Sequence, residues 1–332
     1  MKDTVGRYTK ALMIKLTSPY GLKRMGRLAF TVIIVASPFG CIRESTDDGE
    51  DTAANKPDVR EECVDQRWTD VEAGIQGTCG ITENGHVCCW GQDYYQAGIP
   101  LGGDFASVTL GGGSACALDG GRVATCWGLP EQPTSEPVES VAVWGSAVCT
   151  AALDDQRVAC VGNESSPGGE GALLGTRPSD VLRELDVDRT IGCGLNVDGT
   201  AACWGDLFWE EIPSAVPQPA SVFIDIQTSA DATCGLTEEG AIECWGGVAV
   251  SPPADVAFSM FRLGTGGLLC ALDDEGGVRC WWPNGASWPM DEPPSGAFID
   301  VAVGSGHVCG IRLGGEIECW GLSAEGEGEP PQ

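Results

Sequence analysis

Apolar and polar positions alternate in short runs from Trp68 to Gly321, and the runs fall into groups that repeat. The last group shows the pattern. Phe298-Ile-Asp-Val301 is followed by Cys309-Gly-Ile311 and then by Ile317-Glu-Cys319-Trp320-Gly321. Runs this short, rich in β-branched and aromatic residues and bounded by Gly and Asp, predict strands rather than helices. Cys309 and Cys319 are equidistant from Gly314, as are Ile311 and Ile317. A hairpin turning between Arg312 and Glu316 therefore sets Cys against Cys and Ile against Ile. All four share one face, because side chains alternate along a strand. Gly315, near the end of the short loop, supplies the left-handed residue of a bulged turn.

The group occurs seven times. Its clearest mark is a pair of cysteines ten residues apart: Cys79 and Cys89, Cys116 and Cys126, Cys193 and Cys203, Cys234 and Cys244, Cys270 and Cys280, Cys309 and Cys319. The third pair, Cys149 and Cys160, is eleven apart. One repeat takes roughly 38 residues, the period of a stacked or circular array. A Trp follows the second Cys at Trp90, Trp127, Trp204, Trp245, Trp281 and Trp320, while Val161 takes that place in the third repeat. Eight residues before the first Cys sit Val71, Val108, Val141, Leu185, Ile226 and Val301. Eleven before it sit Trp68, Phe105, Val138, Leu182, Phe223 and Phe298, and the sixth repeat carries Phe258 and Phe261 one residue early.

Directly opposed residues of a hairpin have Cα atoms about 4.5–5.5 Å apart, within disulfide reach. Zinc sites use cysteines two to four residues apart with four ligands converging, which this spacing does not offer. Fourteen cysteines are thus expected in seven hairpin disulfides, and disulfides imply an oxidising compartment. Cys41, Cys63 and Cys88 remain. Cys88 faces away from its neighbour Cys89, and a Cys63–Cys88 bridge to the first repeat is expected, with a free thiol or an intermolecular link as the alternative.

The run from Phe298 to Gly321, Phe-x-x-Val, then His-x-Cys-Gly-Ile, then Gly-x-Ile-x-Cys-Trp-Gly, resembles the regulator of chromosome condensation repeat family. The likeness covers residues 68–321 and is nearest to the cysteine-paired version of bacterial secreted proteins and plant receptor ectodomains. It implies an all-β fold, a seven-bladed β-propeller with one disulfide-linked hairpin per blade; an open solenoid is the alternative. The family's His two residues before the first Cys survives only at His307, and its Asn-x-x-Gly-Gln-Leu-Gly tail only faintly, at Gln92 to Gly98. The last repeat stops soon after Gly321, and residues 58–67 are expected to complete it and close the ring.

The N-terminal region differs. Residues 1–40 hold seven Lys/Arg and one Asp, leaving 12 basic and 47 acidic side chains in the rest of the chain. Lys23, Arg24 and Arg27 precede the apolar run Leu28 to Ala36, and Ser37-Pro-Phe-Gly-Cys41 follows. That order matches an export signal, and the run is far short of the roughly 20 residues of a membrane-spanning helix. We read residues 1–40 as a lipoprotein-type signal peptide, with Met25 an alternative start and Cys41 the lipidation site; ordinary cleavage and a retained anchor are the alternatives. Residues 41–66 read as an acidic flexible linker, 67–322 as the propeller and 323–332 as an acidic flexible tail.

Charge and composition narrow the function. A body this acidic repels phosphate backbones, which opposes a nucleic-acid partner. Two histidines leave little for His-dependent catalysis or a His-rich metal site. No Gly-x-Ser-x-Gly elbow, phosphate-cradling loop or His-Glu-x-x-His occurs. We expect no cofactor, no metal and no enzyme activity. The expected role is a secreted or membrane-anchored scaffold of the bacterial cell envelope that binds an unidentified protein partner through loops on one face. It would be a monomer and would touch the membrane only through its N-terminal lipid. The segments after each Trp-Gly vary most, and Tyr94, Tyr95, Phe208, Trp209, Glu210, Glu211, Trp282 and Trp288 are the candidate binding residues, since Trp and Tyr dominate interface hot spots. The competing reading is that they pack between blades or cover the sheet ends. A propeller-fold hydrolase using loop carboxylates is the alternative function, and a guanine-nucleotide exchange factor, like the founding member of the family, a more distant one.

Overall fold

The structure, a computed structural model, describes residues 63–91, 99, 102–129, 133–155, 157–162, 181–205, 220–229, 232–247, 250–283, 292–322 and 328–331. Among these the strands form seven antiparallel sheets of three, each in sequence order. The first is β1 (Trp68–Ala73), β2 (Gly77–Thr82) and β3 (Val87–Gly91); the second is β4 (Phe105–Gly111), β5 (Ser114–Asp119) and β6 (Ala124–Trp127). The third is β7 (Val138–Trp144), β8 (Ala147–Ala152) and β9 (Val158–Val161); the fourth is β10 (Leu182–Asp188), β11 (Ile191–Asn196) and β12 (Ala201–Gly205). The fifth is β13 (Phe223–Thr228), β14 (Ala232–Thr237) and β15 (Ile242–Gly246); the sixth is β16 (Phe258–Leu263), β17 (Leu269–Asp273) and β18 (Val278–Trp281). The seventh is β19 (Phe298–Val303), β20 (His307–Arg312) and β21 (Ile317–Gly321). This is a seven-bladed β-propeller.

The register is the one the spacing requires. Cys309 pairs with Cys319 and Ile311 with Ile317, and the same Cys-to-Cys opposition holds in every blade. All seven expected hairpin disulfides are present, one per blade. They join Cys79 to Cys89, Cys116 to Cys126, Cys149 to Cys160 and Cys193 to Cys203 in the first four blades. In the last three they join Cys234 to Cys244, Cys270 to Cys280 and Cys309 to Cys319. The Cα atoms are 4.0 Å apart in each, closer than the roughly 4.5–5.5 Å of an ordinary opposed pair. Each closes a short loop, about 2.7 kcal/mol in the chain-entropy treatment. In the middle strands Cys79, Cys116, Cys193, Cys234 and Cys270 are fully buried, and of their outer-strand partners Cys126 is buried while Cys203, Cys244 and Cys280 are half-buried.

The eleven-residue spacing of Cys149 and Cys160 is an extra residue in the β8–β9 turn, since Ala151 pairs with Val158. The early Phe258 and Phe261 have a matching cause. Leu263 pairs with Leu269, one residue further on than Ala73 with Thr78, so the lengthening lies in the β16–β17 turn.

The apolar core is not inside any blade. Among the described residues it forms seven clusters, each built from two neighbouring blades. Ile81 and Val87 of the first pack with Phe105 and Val108 of the second, and Cys193 and Leu195 of the fourth with Phe223 and Ile226 of the fifth. The seventh cluster joins the last blade to the first, with Ala302, Cys309 and Ile311 against Trp68, Val71 and Trp90. Three strands cannot bury both of their faces alone, so each blade needs two neighbours, and a ring supplies them without leaving an end. Burial of a large side chain such as Phe223 or Phe261, both fully buried, contributes about 1.5–3 kcal/mol.

Hydrogen bonds repeat around the same junctions. The carbonyl of the turn glycine in one blade accepts the first amide of the next inner strand: Gly85 from Phe105 at 3.1 Å, Gly240 from Phe258 at 2.9 Å, Gly276 from Phe298 at 2.9 Å. The same bond closes the ring, from Trp68 to the Gly315 carbonyl at 2.9 Å. His307, fully buried, hydrogen-bonds Thr78 at 2.8 Å across this junction. Closure thus joins blade faces. Of the segment expected to complete the last blade, residues 58–62 lie outside the described residues and 63–67 join no sheet. That described part is tied to the first blade through the expected Cys63–Cys88 bridge and through the Glu83 amide on the Arg67 carbonyl at 2.8 Å, and Cys63 shares a core cluster with Ala302, Cys309 and Ile311 of the last blade.

The glycine after the first Cys has a packing reason. A Cβ on Gly310 would lie 2.6 Å from the Phe298 ring, which rests on the strand and contacts Trp320 at 5.8 Å between centroids. Gly310→Ala is therefore expected to lower stability by about 1–3 kcal/mol through overpacking. Gly306→Ala, whose nearest neighbour would be at 3.6 Å, should stay within about 0.5 kcal/mol. Urea unfolding midpoints of the two variants check this.

Candidate functional site

The seven inner strands, β1, β4, β7, β10, β13, β16 and β19, bring together the residues on either side of the repeated Val or Ile. Because that residue is turned into the blade junction, its neighbours face the opposite way. They line a cavity of about 440 Å³. Asp70, Glu72, Glu184, Asp186, Asp225 and Arg262 are among its walls. Asp300 stands beside it, 3.3 Å from Arg262, and Glu72 lies 3.9 Å from the same guanidinium. Arg122 also reaches the wall, where it pairs with Glu139 at 3.4 Å.

Much of this polar lining holds blade to blade. Asp70 accepts the Val108 amide at 2.7 Å, Asp186 the Thr228 amide at 2.6 Å and Asp300 the Val71 amide at 3.3 Å, each from another blade. Ser140 accepts the Leu185 amide at 3.0 Å and Gln227 the Leu263 amide at 2.8 Å in the same way. Inner strands of neighbouring blades do not pair with one another, so these amides lack a ladder partner and a side-chain acceptor satisfies them. Glu72, Glu184 and Asp225 take no such amide in the bonds described.

Burying carboxylates in a channel raises their proton affinity, and neighbouring like charges add to it. Burial pushes Asp70 up to about 7, helped by the charge of Asp300 and opposed by the Val108 amide. Burial pushes Glu72 to about 8 against the pull of Arg262. Asp186 rises to about 7 by burial, with the Thr228 and Val187 amides opposing. Glu184 rises to about 9 by burial, then by the charge of Asp225 and a hydrogen bond with it. Asp300 is raised by burial and held back by Arg262. Burial works against the charge on Arg262, but Asp300, Glu72 and Asp225 outweigh it, so the guanidinium stays protonated. Chemically, the channel can hold protons and cations. Among the described residues no group of three His, Cys, Asp or Glu has the geometry to ligate a metal.

A second feature lies at one end of the blades. In every blade the register shifts between the first and third residues of the inner strand, a β-bulge that leaves the second residue without a cross-strand partner. These residues are Thr69, Ala106, Glu139, Arg183, Ile224, Ser259 and Ile299, and all but Glu139 and Arg183 are exposed. They stand at the same end as the hairpin turns, because the turn glycine bonds to the start of the next inner strand. Among the described residues eight large hydrophobics are exposed. Leu153, Val197 and Leu313 lie in hairpin turns, Val181 and Val222 just before inner strands, and Ile224 and Ile299 at bulges. Only Leu322, after the last outer strand, is at the opposite end.

Of the binding residues expected from the sequence, Trp282 is half-buried and packs against the core of the sixth and seventh blades. Tyr94, Tyr95, Phe208, Trp209, Glu210, Glu211 and Trp288 lie outside the described residues, as does Cys41. The segments that carry them start at the end of one outer strand and finish at the start of the next inner strand. Outer and inner strands run parallel, so those two anchor points are at opposite ends of the blades. The acidic channel and the bulge ring were missed. The Phe-x-x-Val spacing carried the signal for the bulge, since two buried residues three apart cannot share a face of a regular strand.

No family model matches the chain, and no curated protein does. Solved structures do. The entire ectodomain of the receptor kinase CR4 from Physcomitrella patens is similar at TM-score 0.63 and 22% identity, over 76% of this chain and 72% of that one. The CRINKLY WD40 ectodomain of the Arabidopsis thaliana receptor kinase ACR4 is similar at 0.62 and 21%, over 80% of this chain and 97% of that one. Human WBSCR16 is similar at 0.58 and 14%, over 75% and 88%. At these identities the likeness is one of fold alone.

The channel predicts a pH dependence. Asp70, Glu72, Glu184 and Asp186 hold protons more tightly folded than unfolded, so their stabilising effect is complete below about pH 4 and is lost as pH rises through 7 to 9. The channel is open to water, and Glu72 is 28% exposed, which reduces the effect. The melting temperature should fall by at least about 5 °C between pH 5 and pH 9 at constant ionic strength. Glu184→Gln, neutral throughout, should flatten the upper part of that fall. Calorimetry across this range checks both.

Proposed function

We propose that this chain is an exported, non-catalytic propeller that binds another protein through the face carrying its hairpin turns. The observation that carries this reading is the distribution of exposed large hydrophobics, seven of eight among the described residues at one end of the blades. Apolar surface gathered on one face of a rigid scaffold is the usual mark of an interaction site. Eight disulfides support an oxidising location outside the cytosol. The basic-then-apolar segment before Cys41 supports export through a signal peptide over 1–40, with a lipid on Cys41 or simple secretion, an acidic tether over 41–66 and an acidic tail over 323–332. Two of the similar structures are receptor ectodomains, the same fold used outside a cell. In this reading the chain is a cysteine-paired member of the repeat family it resembles.

One observation favours a second reading. Glu184 and Asp225 share a hydrogen bond in the channel, and Glu184 is held protonated near neutral pH, as a general acid would be. A hydrolase of this kind would lose turnover on Glu184→Gln while keeping its partners.

The binding reading predicts where contacts fall. A photo-crosslinking residue placed at Leu153 or Leu313 in the exported protein should trap one discrete partner in intact cells, and the same residue at Leu322 should not. Equal trapping from Leu322, or none from either turn, contradicts it.

A further inference from the structure

We propose that the turn face at the fourth and fifth blades receives a segment of the partner protein that carries lysine or arginine among apolar residues. The inference rests on the protein-binding reading above and adds the chemistry of the partner.

Val197, Val222 and Ile224 are 68%, 57% and 47% exposed, the apolar part of the surface. They come from two blades, and Val222 lies against the turn that carries Val197. A Cβ on Gly199 would lie 2.5 Å from the Val222 side chain, and the Gly199 carbonyl accepts the Phe223 amide at 2.8 Å. Ile224 is exposed because the bulge of β13 removes it from the ladder. Beside them opens a cavity of about 390 Å³, lined by Val222, Ser221, Thr237 and three carboxylates, Glu238, Glu239 and Glu243. Glu238 and Glu239 are exposed in the β14–β15 turn. Glu243 is half-buried, and the Ser221 hydroxyl donates to it, 2.8 and 2.9 Å from its two oxygens. Asp198 adds a further exposed carboxylate in the turn next to Val197. The cation Arg183, at the bulge of β10, is already engaged, its guanidinium donating to the Phe223 carbonyl at 3.0 Å.

A pocket walled by carboxylates with an apolar shelf beside it suits a long side chain that is apolar along its stem and cationic at its tip. Lys and Arg have that form. Apolar neighbours on the same segment would cover Val197, Val222 and Ile224 and exclude water from the ion pairs, which strengthens them. An acidic segment would be repelled, and a purely cationic one would leave the apolar shelf uncovered.

The test uses the full chain and a labelled twelve-residue peptide alternating Lys and Val, followed by fluorescence anisotropy. Peptides alternating Glu with Val and Lys with Ser are the controls. The Lys/Val peptide should bind, and both controls should bind at least about tenfold more weakly. Glu238→Lys with Glu239→Lys should weaken Lys/Val binding about tenfold or more, as should Val222→Ser with Ile224→Ser. Asp274→Lys with Glu275→Lys makes the same charge change on the sixth blade and should alter binding less than about twofold, which separates this site from the general acidity of the chain. Circular dichroism melts confirm that each variant is folded. Unchanged binding in both site variants, an equal loss in the sixth-blade variant, or no binding of the Lys/Val peptide overturns the proposal. So does self-association of the parent chain, measured by light scattering and abolished by Val222→Ser with Ile224→Ser, since the occupant is then a second copy. If the peptide arms fail while crosslinks from Leu153 and Leu313 persist, the partner's chemistry falls and the binding function stands. If those crosslinks also vanish, both fall.

Discussion

Each blade has three strands and buries its middle strand on both sides, so none can complete its own core. β2 and β14 are buried along their whole lengths, covered in part by an aromatic of the same blade, Trp68 over Gly80 and Phe223 over Gly235, and in part by side chains of adjacent blades. The seven apolar clusters follow from this need, one at each junction, including the junction between the last blade and the first. A stack of such units would leave two raw ends. A ring leaves none, and the bond from Trp68 to Gly315 and the His307–Thr78 contact are how this chain closes it. The hairpin disulfides act within blades and the cores act between them, so the two reinforce different parts of the structure.

Ring closure also accounts for the channel. Seven inner strands pointed at one axis approach without pairing, and their amides at the junctions need acceptors. Carboxylates, a serine and a glutamine provide them, which places several acids within reach of one another and of Arg262. Their burial there raises their proton affinities, with Arg262 opposing. The same inner strands carry the bulges, which leave an exposed side chain at the turn face in five of the seven blades. Scaffold, acidic channel and candidate interface are therefore consequences of one geometry.

The hairpins were legible in the sequence because equidistant cysteines and isoleucines fix a register, and a wrong register would send them to the wrong face. Cys126, Cys203, Cys244 and Cys280 each meet the partner that this symmetry assigns. The blade count was legible for the same reason. Asp70, Asp186 and Asp300 were not, because a polar residue alternating with Val reads equally well as a strand facing solvent. Only closure turns that face inward. Ile224 and Ile299 were hidden in a different way, since an apolar residue next to a buried Phe looks like core until the bulge is recognised. The aromatics singled out instead lie in segments of variable length and composition, and the one described, Trp282, packs into a blade junction.

Residue-resolved hydrogen exchange of the oxidised protein tests the closed ring most directly. The amides of Trp68 and Val71, which bond across the junction of the last and first blades, should be as protected as those of Phe258 and Leu263, which bond across an internal one. Trp68 and Val71 exchanging at the rate of an open chain, with Phe258 and Leu263 protected, would contradict the account.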